Sequence, residues 1–133
     1  MKISSSAPRR IYAEQDSGAV TIPAAGNTDI VELDTTQVAR LALEIKNTGG
    51  AAFDAFLVQG KAHPDGDYVT LLSAGADFTS PAGIVVDASG DLTVLASAGT
   101  GWLILDCLAF SKIKLVASSA VGGTTAQVLA GGA

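Results

Sequence analysis

The feature that most constrains this chain is its punctuation. The apolar runs are short, and most end at a glycine, proline, asparagine or aspartate turn. Helices need about ten or more residues with a 3.6-residue period, whereas strands need only four to eight. No convincing long amphipathic helical stretch occurs, so the chain reads as strand after strand. The clearest strand covers residues 39–46. Leu41, Leu43 and Ile45 point one way, and Arg40, Glu44 and Lys46, with Ala42 among them, point the other. A period of two with one polar set means a sheet with one packed face and one wet face.

Further runs follow the same logic. Residues 19–22 alternate and stop at Pro23, and residues 29–33 form a second run. Residues 34–37 read as a turn or a single helical turn capped by Asp34. Asn47-Thr48-Gly49-Gly50 reads as a turn, with a hairpin partner over residues 53–61 carrying Phe53, Phe56, Leu57 and Val58. After the turn at residues 63–67 come runs at 68–72, 84–86, 92–95, 102–105, 112–116 and 126–129, with a long loop over 73–83 holding Phe78 and Pro81. About eight strands with glycine-rich turns predict an all-β, antiparallel β-sandwich, jelly-roll or immunoglobulin-like.

The 133 residues suit one domain. Residues 1–17 are polar and irregular and read as an N-terminal arm, leaving residues 18–133 for the sandwich. Within the arm, Arg9, Arg10, Ile11 and Tyr12 are the candidate partner-binding residues, because arginine and aromatic side chains are favoured at protein interfaces.

Charge excludes several roles. The net charge is −5 and only 16% of residues are charged. Nucleic-acid affinity rests on cationic contacts to phosphate, so no nucleic-acid partner is expected. An anionic membrane surface is disfavoured for the same reason, and no run of about 18 apolar residues offers a membrane helix. Residues 1–6 hold no apolar core of a secretion signal, so synthesis in a cytoplasm without a classical secretion signal is expected.

Catalytic chemistry finds no constellation. Cys107 lies in an apolar run and reads as a buried small hydrophobe. His63 precedes Pro64 in a turn, and a zinc site would need more histidines and cysteines than these two. No G-x-S-x-G and no phosphate-binding glycine loop occurs. Among Asp65, Asp67, Asp87 and Asp91, only the Asp65-Gly66-Asp67 pair could hold calcium, and it lacks the EF-hand spacing. Aspartate also populates turns for local hydrogen bonding. Trp102 reads as core packing within Trp102-Leu103-Ile104-Leu105. The expectation is no enzyme, no metal and no cofactor.

The order of the strands resembles that of small β-sandwich virion proteins of tailed phages. The resemblance runs from Val38 to Leu129. It is carried by Leu41-x-Leu43-x-Ile45-x-Asn47-x-Gly49, by the segment from Phe53 to Val58, by Gly101-Trp102-Leu103-Ile104-Leu105-Asp106, and by Ile113-Lys114-Leu115-Val116-Ala117-Ser118 before a glycine-rich turn and last strand. It implies a capsid decoration or cement protein, or a head–tail component. Its partners would be the major capsid protein or another virion protein, and copies of itself in a dimer or trimer. The alternative is a carbohydrate- or receptor-binding sandwich module of a phage or bacterial surface.

Overall fold

Alternation decides which side chains leave the water. In the computed structural model, described over residues 13–24, 26–73, 85–89, 99–107, 109–119 and 123–133, the long strands bury every second residue. β4 (Arg40–Asn47) buries Leu41, Leu43, Ile45 and Asn47. β5 (Ala55–Lys61) buries Phe56, Val58 and Gly60. β8 (Thr100–Asp106) buries Gly101, Leu103 and Leu105. These positions meet in one core, where Phe53, Phe56, Ile45, Leu103, Leu105, Ile113 and Leu115 have essentially no exposure. Each such side chain stabilises the fold by about 1.5–3 kcal/mol relative to an exposed position.

The remaining strands are β1 (Ala13–Asp16), β2 (Val20–Ile22), β3 (Thr28–Asp34), β6 (Val69–Ser73), β7 (Val85–Ser89), β9 (Lys112–Ser118) and β10 (Thr124–Gly132). The larger sheet runs β1-β10-β4-β8-β7, with β2 also on β10, and the smaller runs β3-β9-β5-β6. Every pairing between these strands is antiparallel. The all-β antiparallel sandwich expected from the sequence is therefore the observed fold. Among the described residues there are ten strands and no helix.

β1 and β2 form one edge strand broken at Gly18. Gly18 takes φ of +65°, a left-handed conformation that costs glycine little. Its N–H donates to Asp16 Oδ1 at 2.8 Å, and Ser17 N–H donates to Val128 O at 2.9 Å, so the edge stays tied through the kink. β1 thus lies within the stretch read as an arm. Residues 1–12 lie outside the described residues, as do the runs at 74–84 and 90–98.

One expectation needs correction. β5 is not the hairpin mate of β4. β4 lies between β10 and β8 in the larger sheet, while β5 lies between β9 and β6 in the smaller. The turn at residues 47–50 carries the chain across the sandwich. Asn47 is buried and organises the crossing. Its Nδ2 donates to Ala51 O at 2.7 Å, and its Oδ1 accepts Gly49 N–H at 3.2 Å and Thr124 Oγ1 at 2.7 Å. A Cβ on Gly49 would collide with Thr124 and with the Thr125 backbone, so only glycine lets the crossing lie against β10. The turn at 34–37 is as expected. Asp34 Oδ1 accepts from Thr36 N–H and Oγ1, which holds the Asp34 carboxyl below its ordinary range.

Candidate protein-docking face

The two outer faces of the sandwich differ in how they treat charge. On the smaller sheet the cations have partners on the same face. Lys112 Nζ meets Glu32 at 3.0 Å and Lys114 Nζ meets Asp29 at 3.4 Å. Lys61 and Lys114 lie 4.9 and 4.3 Å from the Tyr68 ring centroid, at cation–π distance. The bond from Lys112 holds the Glu32 carboxyl below its ordinary range. Burial, reinforced by Glu32, raises the Tyr68 hydroxyl, which is sealed from water and lacks hydrogen-bond geometry to any described group.

The larger sheet is built differently. Register sets two adjacent rows across its outer face. One runs Glu14, Gly131, Ala42 and Ile104, and the next runs Asp16, Leu129, Glu44 and Trp102. Small side chains in the first row leave a trough beside Leu129, Ile104 and Trp102. This is an open groove of about 610 Å³. A Cβ on Gly131 would meet nothing within 4 Å, so the floor there is open. The apolar centre is rimmed by acid. Glu14, Asp16, Glu44, Asp87 and Asp106 face outward from this sheet, against Arg40 and Lys46 among the described residues. Gln127 Nε2 and Gly18 N–H both donate to Asp16 Oδ1, which holds that carboxyl low and keeps it ionised. Glu44 has a loose ion pair with Lys46 at 3.6 Å, exposed to solvent on both sides.

Trp102 corrects a second expectation. It is not core. It is 38% exposed and stands on the outer face, while its neighbours Leu103 and Leu105 fill the core. In a run of four apolar residues, period two still operates, but the sequence does not reveal which parity faces in. The other groove residues carry no signal of their own. Ala42, Ile104, Leu129 and Gly131 come together only through cross-strand register.

The remaining candidates fall elsewhere. Asp65 and Asp67 are exposed in the turn after β5. Asp65 N–H donates to His63 Nδ1 at 3.1 Å, and the Asp65 carboxylate lies 3.8 Å from the same nitrogen, so His63 serves the turn. Asp87 lies on β7 of the larger sheet, not in the turn with Asp65 and Asp67, and Asp91 lies outside the described residues. Among the described residues no three His, Cys, Asp or Glu side chains gather as a metal would need. Cys107 is buried, its Sγ 3.2 Å from Val38 O, and burial pushes its thiol up to about 11. His63, exposed in its turn, is not brought to it. Arg9, Arg10, Ile11 and Tyr12 lie outside the described residues.

No protein-family model matches the chain, and no curated protein matches it either. Its fold is similar to the crystal structure of PirA, with a TM-score of 0.53 and 17% identity over 86% of this chain and 90% of that one. The crystal structure of the SPBc2 prophage-derived protein YomS is also a neighbour. It has a TM-score of 0.48 and 12% identity over 93% of this chain and 99% of YomS. At such identities the likeness to PirA concerns the sandwich fold alone.

Proposed function

We propose that this chain is a non-enzymatic structural protein of a phage particle, most specifically a decoration or cement protein of the head lattice. The observation that carries the reading is the outer face of the larger sheet. An apolar trough with an exposed tryptophan and an acidic rim is the composition of a protein contact surface, where aromatic anchors sit inside a polar margin. Among the described residues of the opposite face, the cations Lys61, Lys112 and Lys114 lie against Tyr68, Glu32 and Asp29. The strand layout resembling small virion sandwiches supports the particle assignment. The partners are copies of the chain and the major capsid protein or another virion protein. Modest contacts repeated over a lattice bind by avidity, so no single contact has to be tight. The site of action is the virion, after synthesis in the host cytoplasm.

The experiment is a density gradient of phage particles from the source lysate, followed by mass spectrometry of the head band. The expected result is this chain in the particle band at a copy number commensurate with the head lattice. Its confinement to the soluble fraction overturns the reading.

Exposure of Trp102 beside the Glu44 carboxylate favours one second reading, a carbohydrate- or receptor-binding module, since sugars stack on aromatic faces and donate hydroxyls to carboxylates. Quenching of Trp102 emission by glycans at millimolar concentration or below would select it.

A further inference from the structure

The acid-rimmed trough has an evident complement within the same chain. All thirteen acidic residues lie in residues 13–133, together with only five of the eight cations. The other three cations, Lys2, Arg9 and Arg10, lie in residues 1–12, which hold no acid. The chain is thus divided into a segment of +3 and a sandwich of −8. The positive segment ends Arg9-Arg10-Ile11-Tyr12, directly before β1. Those four residues offer two guanidinium groups for carboxylates and two apolar side chains for an apolar floor. Guanidinium groups also stack on tryptophan faces.

The geometry points to residues 1–12 of one copy docking in the Trp102 trough of another. β1 holds its register with β10 to its first residue, where Ala13 pairs with Gly132. A chain continued beyond Ala13 along the strand direction would pass the end of the sheet, because β10 ends at Gly132. Entry into the trough of the same copy requires a reversal within a few residues, and Arg9-Arg10-Ile11-Tyr12 contains no glycine, proline, asparagine or aspartate to make one. Twelve extended residues span at most about 40 Å, enough to reach a neighbouring sandwich. In the bound state Arg9 and Arg10 meet Glu14, Asp16 and Glu44, one of them against the Trp102 ring, and Ile11 covers Ala42 and Gly131. Arm and trough are different patches, so the contact builds a reciprocal dimer, a closed ring, or an open filament where the rotation does not close. This deepens the reading of the face as a protein contact surface. It does not depend on the particle assignment, because the contact forms in purified protein.

Trp102 is the only tryptophan, so its emission reports the trough directly. The test titrates a peptide of residues 1–12 into the chain of residues 13–133 and follows that emission. Sedimentation equilibrium of the two chain lengths runs alongside. The expected result is a saturable change in Trp102 emission that weakens with salt, an oligomeric full chain and a monomeric shortened one. Arg9→Glu with Arg10→Glu in the full chain weakens association roughly tenfold or more, which tests the contact without truncation. Glu14→Arg with Glu44→Arg in the trough restores it. Unmoved Trp102 emission together with equal masses for both chain lengths overturns the proposal. So does a monomeric full chain whose Trp102 is shielded only when residues 1–12 are present, because that outcome means docking within one copy. Failure here with the protein present in phage heads separates this contact from the functional reading.

Discussion

The crossing at Asn47 offers the sharpest test of the fold, and Asn47→Ala is the perturbation. Asn47 is 1% exposed and its amide satisfies three partners, the Ala51 carbonyl, the Gly49 N–H and the Thr124 hydroxyl. Truncation removes all three bonds and strands groups that water reaches poorly. At about 1 kcal/mol for each bond lost, with part of the desolvation cost of each stranded group added, the loss is about 3 kcal/mol. The unfolding entropy of a chain this long is about 0.28 kcal/mol/K, from about 2.1 cal/mol/K per residue, so Tm falls by about 10 °C. The assay is reversible thermal unfolding followed by circular dichroism, with urea unfolding as a check on the m-value. Gln59→Ala is the control, since Gln59 has one exposed bond to Thr70 at 3.2 Å and loses within about 0.5 kcal/mol. A loss at Asn47→Ala no larger than at Gln59→Ala would refute the reasoning, because the crossing would then not depend on that side chain.

Further outcomes follow from the same geometry. Trp102→Ala costs less than about 1 kcal/mol of stability, whereas Leu103→Ala, one residue on and fully buried, costs about 2–5 kcal/mol; equal losses in urea unfolding would contradict the assigned parity. Cys107, with its thiol pushed up to about 11, reacts with a thiol reagent at pH 8 only as fast as the chain opens, and at the rate of a free thiol in denaturant; fast native labelling would contradict its burial. The carboxyls of Asp16, Asp34 and Glu32 are held below their ordinary values of 3.8, 3.8 and 4.5. Their contribution is complete above those values and is lost as pH falls through the lower folded ones, so the urea midpoint drops below about pH 4; a midpoint flat to pH 2 would contradict it. Tyr68, raised by burial, binds its proton more tightly when folded than its ordinary value of 10.0, so stability declines above about pH 10, and Tyr68→Phe flattens that decline.

Different levels of this molecule were legible in the sequence to different degrees. Alternation in residues 39–46 and 112–116 placed Leu41, Leu43, Ile45, Ile113 and Leu115 in the core, because period two fixes a strand's faces wherever polar residues mark one of them. The same rule failed at residues 102–105, where both parities are apolar. It failed again after Asn47, because a turn signal says that the chain reverses and not which sheet receives it. The crossing follows from Asn47 reaching Ala51 and Thr124, the latter 77 residues away. The trough was beyond reach for a related reason. Glu44 stands between Trp102 and Leu129 through the pairing of three strands, and no local pattern carries that register. The acidic balance was legible, and so was the positive segment ahead of β1. Only the fold gave the acid a place.

The most direct measurement is site-specific photo-crosslinking from the trough, with a benzoylphenylalanine replacing Trp102 in the full chain and the same probe replacing Gln59 on the opposite face as control. Crosslinked peptides are identified by mass spectrometry, from purified protein and from phage particles. The expected result is crosslinks from position 102 to residues 1–12 of a second copy in both samples, with little from position 59. Crosslinks from position 59 to a protein partner, with position 102 left unreacted in the particle, would contradict the assignment of the larger sheet as the contact face.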